Sequence, residues 1–362
     1  MVLVCLSHIK QHLVESSPTI YWILMSVTRV ATPTFLLLSG FVIGYLLRRD
    51  SRGRASITLV DRGLFLLLVA HGLMGISNVT EHAGVASWLF ERVEITDVIG
   101  MALFVAVLLR SVRPEMLIGL GAGLFLVSWP CAMLLEARSE LARMILGPLL
   151  HVPGTAGASI EAPLVAYVGV FLIGMGLSGR LHEALLDGVT RDIARPLFRL
   201  GAISVAIALL GVLLWHSAKG MLPEALRAPP FVELVRGALD PRWKLPPSPA
   251  YLLFYGGCGL LLASGFLNGR PAWLVSPIAR FTAVLGRASL MCFVVQDLVF
   301  FGIPNAIGLD SIQSVFFWSA YLAVGLMLLY ALARRWDEAH GNRFLTVGLK
   351  SIASLRRAAP SG

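Results

Sequence analysis

"PTFLLLSGFVIGYLLRRDSRGR" (33–54) is an apolar run that ends abruptly in four arginines, Arg48, Arg49, Arg52 and Arg54. A helix at the surface of a soluble domain carries charges along one face, yet no charged residue stands between Pro33 and Leu47. Unbroken apolarity followed by a basic cluster is the pattern of a membrane helix meeting the cytoplasm. The composition agrees. The chain has 362 residues, 57% hydrophobic and 14% charged, where soluble domains average about 25% charged. The expected fold is all-α: a polytopic integral membrane helix bundle of about ten transmembrane helices with both termini cytoplasmic.

About twenty apolar residues cover the hydrocarbon core of a bilayer. Runs of that kind predict spans near 1–14, 20–47, 57–77, 95–110, 114–135, 160–178, 197–216, 250–267, 278–301 and 312–333. Segment 143–153 is too short to cross and reads as lumenal or re-entrant. The loops alternate in charge. The four arginines after span two face a loop at 78–94 that holds Glu81, Glu91 and Glu94 against Arg92 alone. Arg110 and Arg113, then Arg180, Arg191, Arg195 and Arg199, mark further basic turns. The loop after span nine has Asp310, while the tail has Arg334, Arg335, Arg343, Lys350, Arg356 and Arg357. Arginine-rich loops on alternate sides satisfy the positive-inside rule. The formal net charge of +9 therefore reflects topology, with the lipid bilayer as partner and no nucleic acid. Loop 217–248 is mixed in charge, and its "FVELVRGAL" (231–239) reads as a short amphipathic surface helix.

Residues 1–335 form the expected membrane domain and 336–362 a basic cytoplasmic tail. The expected location is the inner (cytoplasmic) membrane. The opening "MVLVCLSHIKQHL" (1–13) lacks the basic n-region and small-residue cleavage site of a signal peptide. It reads as the outer end of a span whose first turns lie upstream of Met1. Cys5, Cys131, Cys258 and Cys292 sit in apolar runs without CxxC spacing, so they read as small buried apolar residues.

Ionisable groups at membrane depth are costly and are functional candidates by default. With the topology above, His8 and His12 lie one turn apart at the outer end of span one. Arg29 lies two to three turns into span two, and His71 about two thirds of the way out along span three. Asp97 starts span four, and Gln296 and Asp297 fall in the outer half of span nine. All seven gather in the outer half. A neutral imidazole beside a carboxylate suits proton removal from a hydroxyl or amine, as acyl transfer requires. Two histidines on facing helices could instead bind haem, and a polar cluster could serve a small-molecule transporter. No HExxH or Cys/His spacing points to a metal. On the cytoplasmic side Arg48, Arg49, Arg52, Arg54, Arg62, Arg180, Arg195 and Arg199 make a basic surface, and Arg287 lies in the inner half of span nine. Mainly a topology signal, these charges could also receive a phosphorylated donor such as a coenzyme A thioester.

Several stretches together resemble one family. "PTFLLLSGFVIGYLLRR" (33–49) is similar to the second membrane helix of the transmembrane acyltransferase superfamily. That group includes acyltransferase family 3, the glucan-succinylating OpgC proteins and the heparan-α-glucosaminide N-acetyltransferase catalytic domain. "DVIGMALFVAVLL" (97–109), "PLVAYVGVFLIGMGLSGRL" (163–181), "KLPPSPAYLLFYGGCGLLL" (244–262) and "LGRASLMCFVVQDLVF" (285–300) resemble its later helices, in order. "MVLVCLSHI" resembles the end of the family's first helix, which places the family histidine on His8; the Asp-x-x-Arg-Gly stretch that precedes it there has no counterpart. The resemblance implies transfer of an acyl group, often acetyl from acetyl-CoA, across the membrane to a sugar or similar acceptor. It places a catalytic histidine on His8; with the depth map, His8 is expected as base or acyl relay, oriented by Asp97 or Asp297, with Arg29 on the thioester oxygen. His12, His71 and Gln296 would bind the acceptor, and Arg48, Arg49, Arg62 and Arg287 the acyl-CoA donor, without a metal.

Overall fold

The structure, a computed structural model, describes residues 1–9, 18–50, 53–77, 92–135, 139–151, 162–187, 190–218, 231–268, 276–308 and 314–349. His12 lies outside them, as do Arg52, Glu81, Glu91, Asp310, Lys350, Arg356 and Arg357 among the charges used for topology.

Among the described residues the fold is helical throughout. The helices are α1 (Val2–Ile9), α2 (Pro18–Thr28), α3 (Ala31–Arg49), α4 (Arg54–Leu64), α5 (His71–Ser77), α6 (Ile95–Leu108) and α7 (Pro114–Leu134). There follow α8 (Glu140–Leu150), α9 (Leu164–Arg180), α10 (His182–Asp187), α11 (Thr190–Ala218), α12 (Phe231–Leu239) and α13 (Pro249–Asn268). The chain closes with α14 (Pro277–Arg287), α15 (Ser289–Asp297), α16 (Ile303–Ala306) and α17 (Val315–Glu338). Two π-helical turns, Phe65–Ala70 and Leu298–Gly302, join α4 to α5 and α15 to α16.

Serine followed by proline starts two of these helices. Ser248 accepts the Tyr251 N–H at 2.9 Å ahead of α13, and Ser276 accepts the Ala279 N–H at 3.2 Å ahead of α14. The serine oxygen satisfies an orphan amide, while the proline that follows has no amide to satisfy.

Among the described residues six stretches are long and apolar enough to cross a membrane: Pro18–Arg49, Arg54–Gly75, Pro114–Leu134, Arg191–Ser217, Pro249–Asn268 and Val315–Glu338. They match six of the ten expected spans. Ile95–Leu108 and Leu164–Arg180 are shorter, and only Val2–Ile9 of the first span is described. Expected span 278–301 is instead two helices, α14 and α15, bent by 85° at Ala288. Large apolar side chains remain on the outside: Ile203, Ile207, Leu210, Leu213 and Leu214 of α11 are each more than half exposed. In water that would be an extended apolar patch. It is the surface expected of a helix that faces lipid.

The chain divides into two compact units. One comprises residues 1–31, 64–90 and 269–362, the other residues 32–63 and 91–268. In the second, α9 is the central helix, with Tyr167, Phe171 and Leu172 fully buried. Two glycine pairs set its spacing. Gly121 of α7 and Gly169 of α9 face each other so closely that a Cβ on either would overlap the other's carbonyl oxygen. Gly201 of α11 and Gly257 of α13 repeat the device. Small residues let helix backbones approach where lipid supplies no hydrophobic drive between helices. The amphipathic helix expected at 231–239 is α12, and Trp129 of α7 lies flat against its Gly237 while donating from Nε1 to the Leu234 carbonyl at 3.1 Å.

The first unit packs around Cys5, Ile9, Leu285, Ala288, Cys292, Val299, Phe300, Trp318, Leu329 and Ala333. Cys5 and Cys292 are thus small core residues; all four cysteines are free thiols. The bend at Ala288 is held from a distance. Asn342 Nδ2 donates to the Arg287 carbonyl at 2.9 Å, and its Oδ1 accepts from Trp336 Nε1 at 3.0 Å. Arg287 Nε reaches Asp337 at 2.9 Å. Helix α17 continues without a break through 335/336, the expected end of the membrane domain.

Candidate functional site

Six of the described candidates belong to the first unit, and four of them stand on α1, α5 and α15: His8 on α1, His71 on α5, and Gln296 and Asp297 at the end of α15. His71 is 5% exposed, Gln296 0% and Asp297 4%, while His8 is partly buried. His8 Nδ1 stands 3.8 Å from Asp297 Oδ1. That distance is beyond a direct hydrogen bond and well within Coulombic reach, in surroundings of low dielectric. The edge of Phe301 closes on the His8 ring, with centroids 5.7 Å apart at 79°.

Both π-helical turns abut this group. The turn Phe65–Ala70 ends at His71, whose own backbone N–H closes it by donating to the Leu66 carbonyl. The turn Leu298–Gly302 begins immediately after Asp297. π-Helix makes up well under 1% of residues in proteins and appears mostly as single turns at functional sites. Two such turns, each beginning or ending on a buried polar residue of the same unit, mark this region off from the rest of the chain. Helix α5 packs on both α15 and the turn that follows it.

The two polar atoms of Gln296, Oε1 and Nε2, are buried and make no hydrogen bond. A buried amide with neither atom partnered within the protein costs free energy unless a water, a ligand or a reacting group takes up its atoms.

One helix backs the site. Trp318 of α17 donates from Nε1 to the Ile9 carbonyl at 3.0 Å, at the end of the helix that carries His8. Three residues on, Tyr321 Oη donates to the Val299 carbonyl at 2.6 Å, within the π turn that follows Asp297. Sequence reading passed over both. Their visible signal was a pair of donor-tipped aromatics at i, i+3 in an otherwise apolar span.

The remaining candidates stand on other elements. Arg29 sits in the first unit at the non-helical turn between α2 and α3, where the apolar stretch Pro18–Arg49 breaks. Asp97 belongs to the second unit, where it caps α6: its Oδ2 accepts the Glu94 N–H at 2.8 Å, and the Glu94 side chain accepts the Asp97 N–H in return. Glu94 in turn pairs with Arg92. Arg48, Arg49 and Arg62 are also in the second unit. Arg48 packs on Gly179, Arg49 donates to Tyr45 Oη at 2.9 Å, and Arg62 is half-buried on α4. Arg287, of the first unit, is paired with Asp337.

Among the described residues no group of three or more His, Cys, Asp or Glu side chains is arranged to hold a metal ion. No protein-family model, no curated protein and no solved structure matches this chain.

Proposed function

We propose that the protein is an integral membrane acyltransferase of about ten spans in the inner membrane. It would move an acyl group, acetyl in the first instance, from a cytoplasmic acyl-CoA to a hydroxyl or amine of an envelope glycan or similar acceptor on the outer side. The observation that carries this reading is the His8–Asp297 pair beside buried His71 and Gln296. With Nδ1 turned towards Asp297, His8 Nε2 is the nitrogen that takes the acceptor's proton. The acceptor oxygen or nitrogen then attacks the thioester carbonyl, the carbon–sulfur bond breaks, and the proton leaves with the coenzyme A thiol. Asp297 stabilises the imidazolium while the proton resides there. Arg29 would stand by the thioester oxygen as negative charge develops. Gln296, His71 and His12 would bind the acceptor, and Arg48, Arg49, Arg62 and Arg287 the donor's phosphates. The order of family-like stretches along the chain supports the same chemistry.

The test is mass spectrometry of envelope glycans from cells carrying the wild type, His8→Ala, or a deletion of the gene. An acyl mass increment present only with the wild type is expected. An increment unchanged in all three would sink the enzymatic reading.

A further inference from the structure

We propose that Trp318 and Tyr321 are the positioning residues of the His8–Asp297 pair, holding its two halves to one face of α17. This rests on the reading of that pair as the reacting centre.

Trp318 and Tyr321 each bond a backbone carbonyl next to one half of the pair. Trp318 Nε1 donates to the carbonyl of Ile9, the residue that follows His8. In the π turn the Ile303 N–H bonds the Leu298 carbonyl, five residues back. The next donor in that register would be residue 304, which would serve Val299. Residue 304 is proline and has no N–H. The Val299 carbonyl therefore depends on a donor from elsewhere, and Tyr321 Oη supplies it at 2.6 Å.

Trp318 and Tyr321 stand on the same face of α17, one turn apart. One fixes the end of the helix bearing His8; the other fixes the turn that starts after Asp297. The helix cannot slide between them, because Phe300 packs directly on Gly325, where a Cβ would collide with its ring. Trp318 is itself 6% exposed, so its indole is held by the core. In a region without water a released carbonyl finds no substitute partner. Loss of either bond would let one half of the pair move relative to the other. The 3.8 Å approach must shorten to a hydrogen bond for Asp297 to hold the imidazolium, so a displacement of about an ångström is decisive.

The reactivity of His8 reads out this alignment without a known substrate. The full chain, purified in detergent, is treated with diethyl pyrocarbonate, and the rate of His8 modification is followed by mass spectrometry, with exposed His216 as control. At a pH where the imidazole is neutral, Asp297→Asn should slow His8 by about threefold to tenfold, because the nearby carboxylate that raises the basicity of the ring is lost. Tyr321→Phe and Trp318→Phe should move His8 most of the way to that value and leave His216 unchanged. Pro304→Ala restores a backbone donor to the π turn, so Pro304→Ala combined with Tyr321→Phe should return His8 towards the wild-type rate. Because Tyr321→Phe removes a single hydroxyl, it decides the matter if Trp318→Phe fails to fold. Wild-type His8 rates in Tyr321→Phe, with Asp297→Asn slowed, would overturn the positioning role and leave the pair standing. An unchanged rate in Asp297→Asn would overturn the pair itself, and the positioning role with it.

Discussion

Gln296→Met is expected to raise the stability of the ligand-free protein while removing acyl transfer. Gln296 is fully buried, and its amide makes no hydrogen bond at either atom. Methionine has nearly the same length and volume and no strongly polar atom, so packing is kept while the amide is lost. An unsatisfied buried polar group costs about 1–3 kcal/mol in soluble proteins. Within a membrane the expected gain is smaller, because the unfolded reference state also finds partners, and about 1 kcal/mol is the working figure. A change of that size moves the folded-to-unfolded ratio about fivefold. Equilibrium unfolding of the purified protein in mixed micelles, titrated with denaturing detergent and followed by tryptophan fluorescence, resolves it. Glycan mass spectra from cells carrying the variant supply the second reading. A stability lowered by 1 kcal/mol or more would show that the amide serves the fold, and the reasoning from its unpartnered atoms would fail.

Other changes separate structural from chemical roles. Asp97→Ala removes half of a capping box and should cost about 1 kcal/mol while leaving the acyl increment in cell envelopes intact; loss of the increment at unchanged stability would return Asp97 to the chemistry. Gly257→Leu forces a side chain into the backbone of α11 and should destabilise by about 1–3 kcal/mol or more, seen as a lower unfolding midpoint. Asp337→Asn breaks the ion pair to Arg287, whose side chains are 34% and 55% exposed respectively, so unfolding should shift by less than about 1 kcal/mol. Asn342→Ala should shift it more, since it leaves the Arg287 carbonyl and the Trp336 indole without their present partner.

How far the sequence speaks depends on the range of the forces involved. Spans 114–135 and 250–267 correspond to Pro114–Leu134 and Pro249–Asn268, because apolar length and an N1 proline are local signals. His8 and Asp297 could be proposed as partners because both are ionisable in apolar runs, where few positions compete. The 85° bend was invisible: residues 278–301 contain no proline and are apolar enough to read as one span, and the partner that takes up the Arg287 carbonyl is Asn342, far along the chain. Depth alone put Asp97 with Asp297, yet Asp97 answers to the amides of its own helix, a need that a hydropathy map does not weigh. The π turns were also hidden, since periodicity over a short window cannot tell 3.6 residues per turn from a single inserted residue. Pro304 was their one legible trace.

A π turn is a helix that has absorbed one extra residue. Each residue of α-helix turns the chain by about 100°, so removing one from Phe65–Ala70 would restore plain α-helix and swing His71 around the helix axis by that amount relative to the segment before it. The same holds for Leu298–Gly302 and everything that follows it. The site is therefore open to change by gain or loss of single residues in two places, where one event re-aims a whole side-chain face that no substitution could rotate. Within a family of such chains, the length of the stretch before the histidine would diverge with function sooner than the histidine itself.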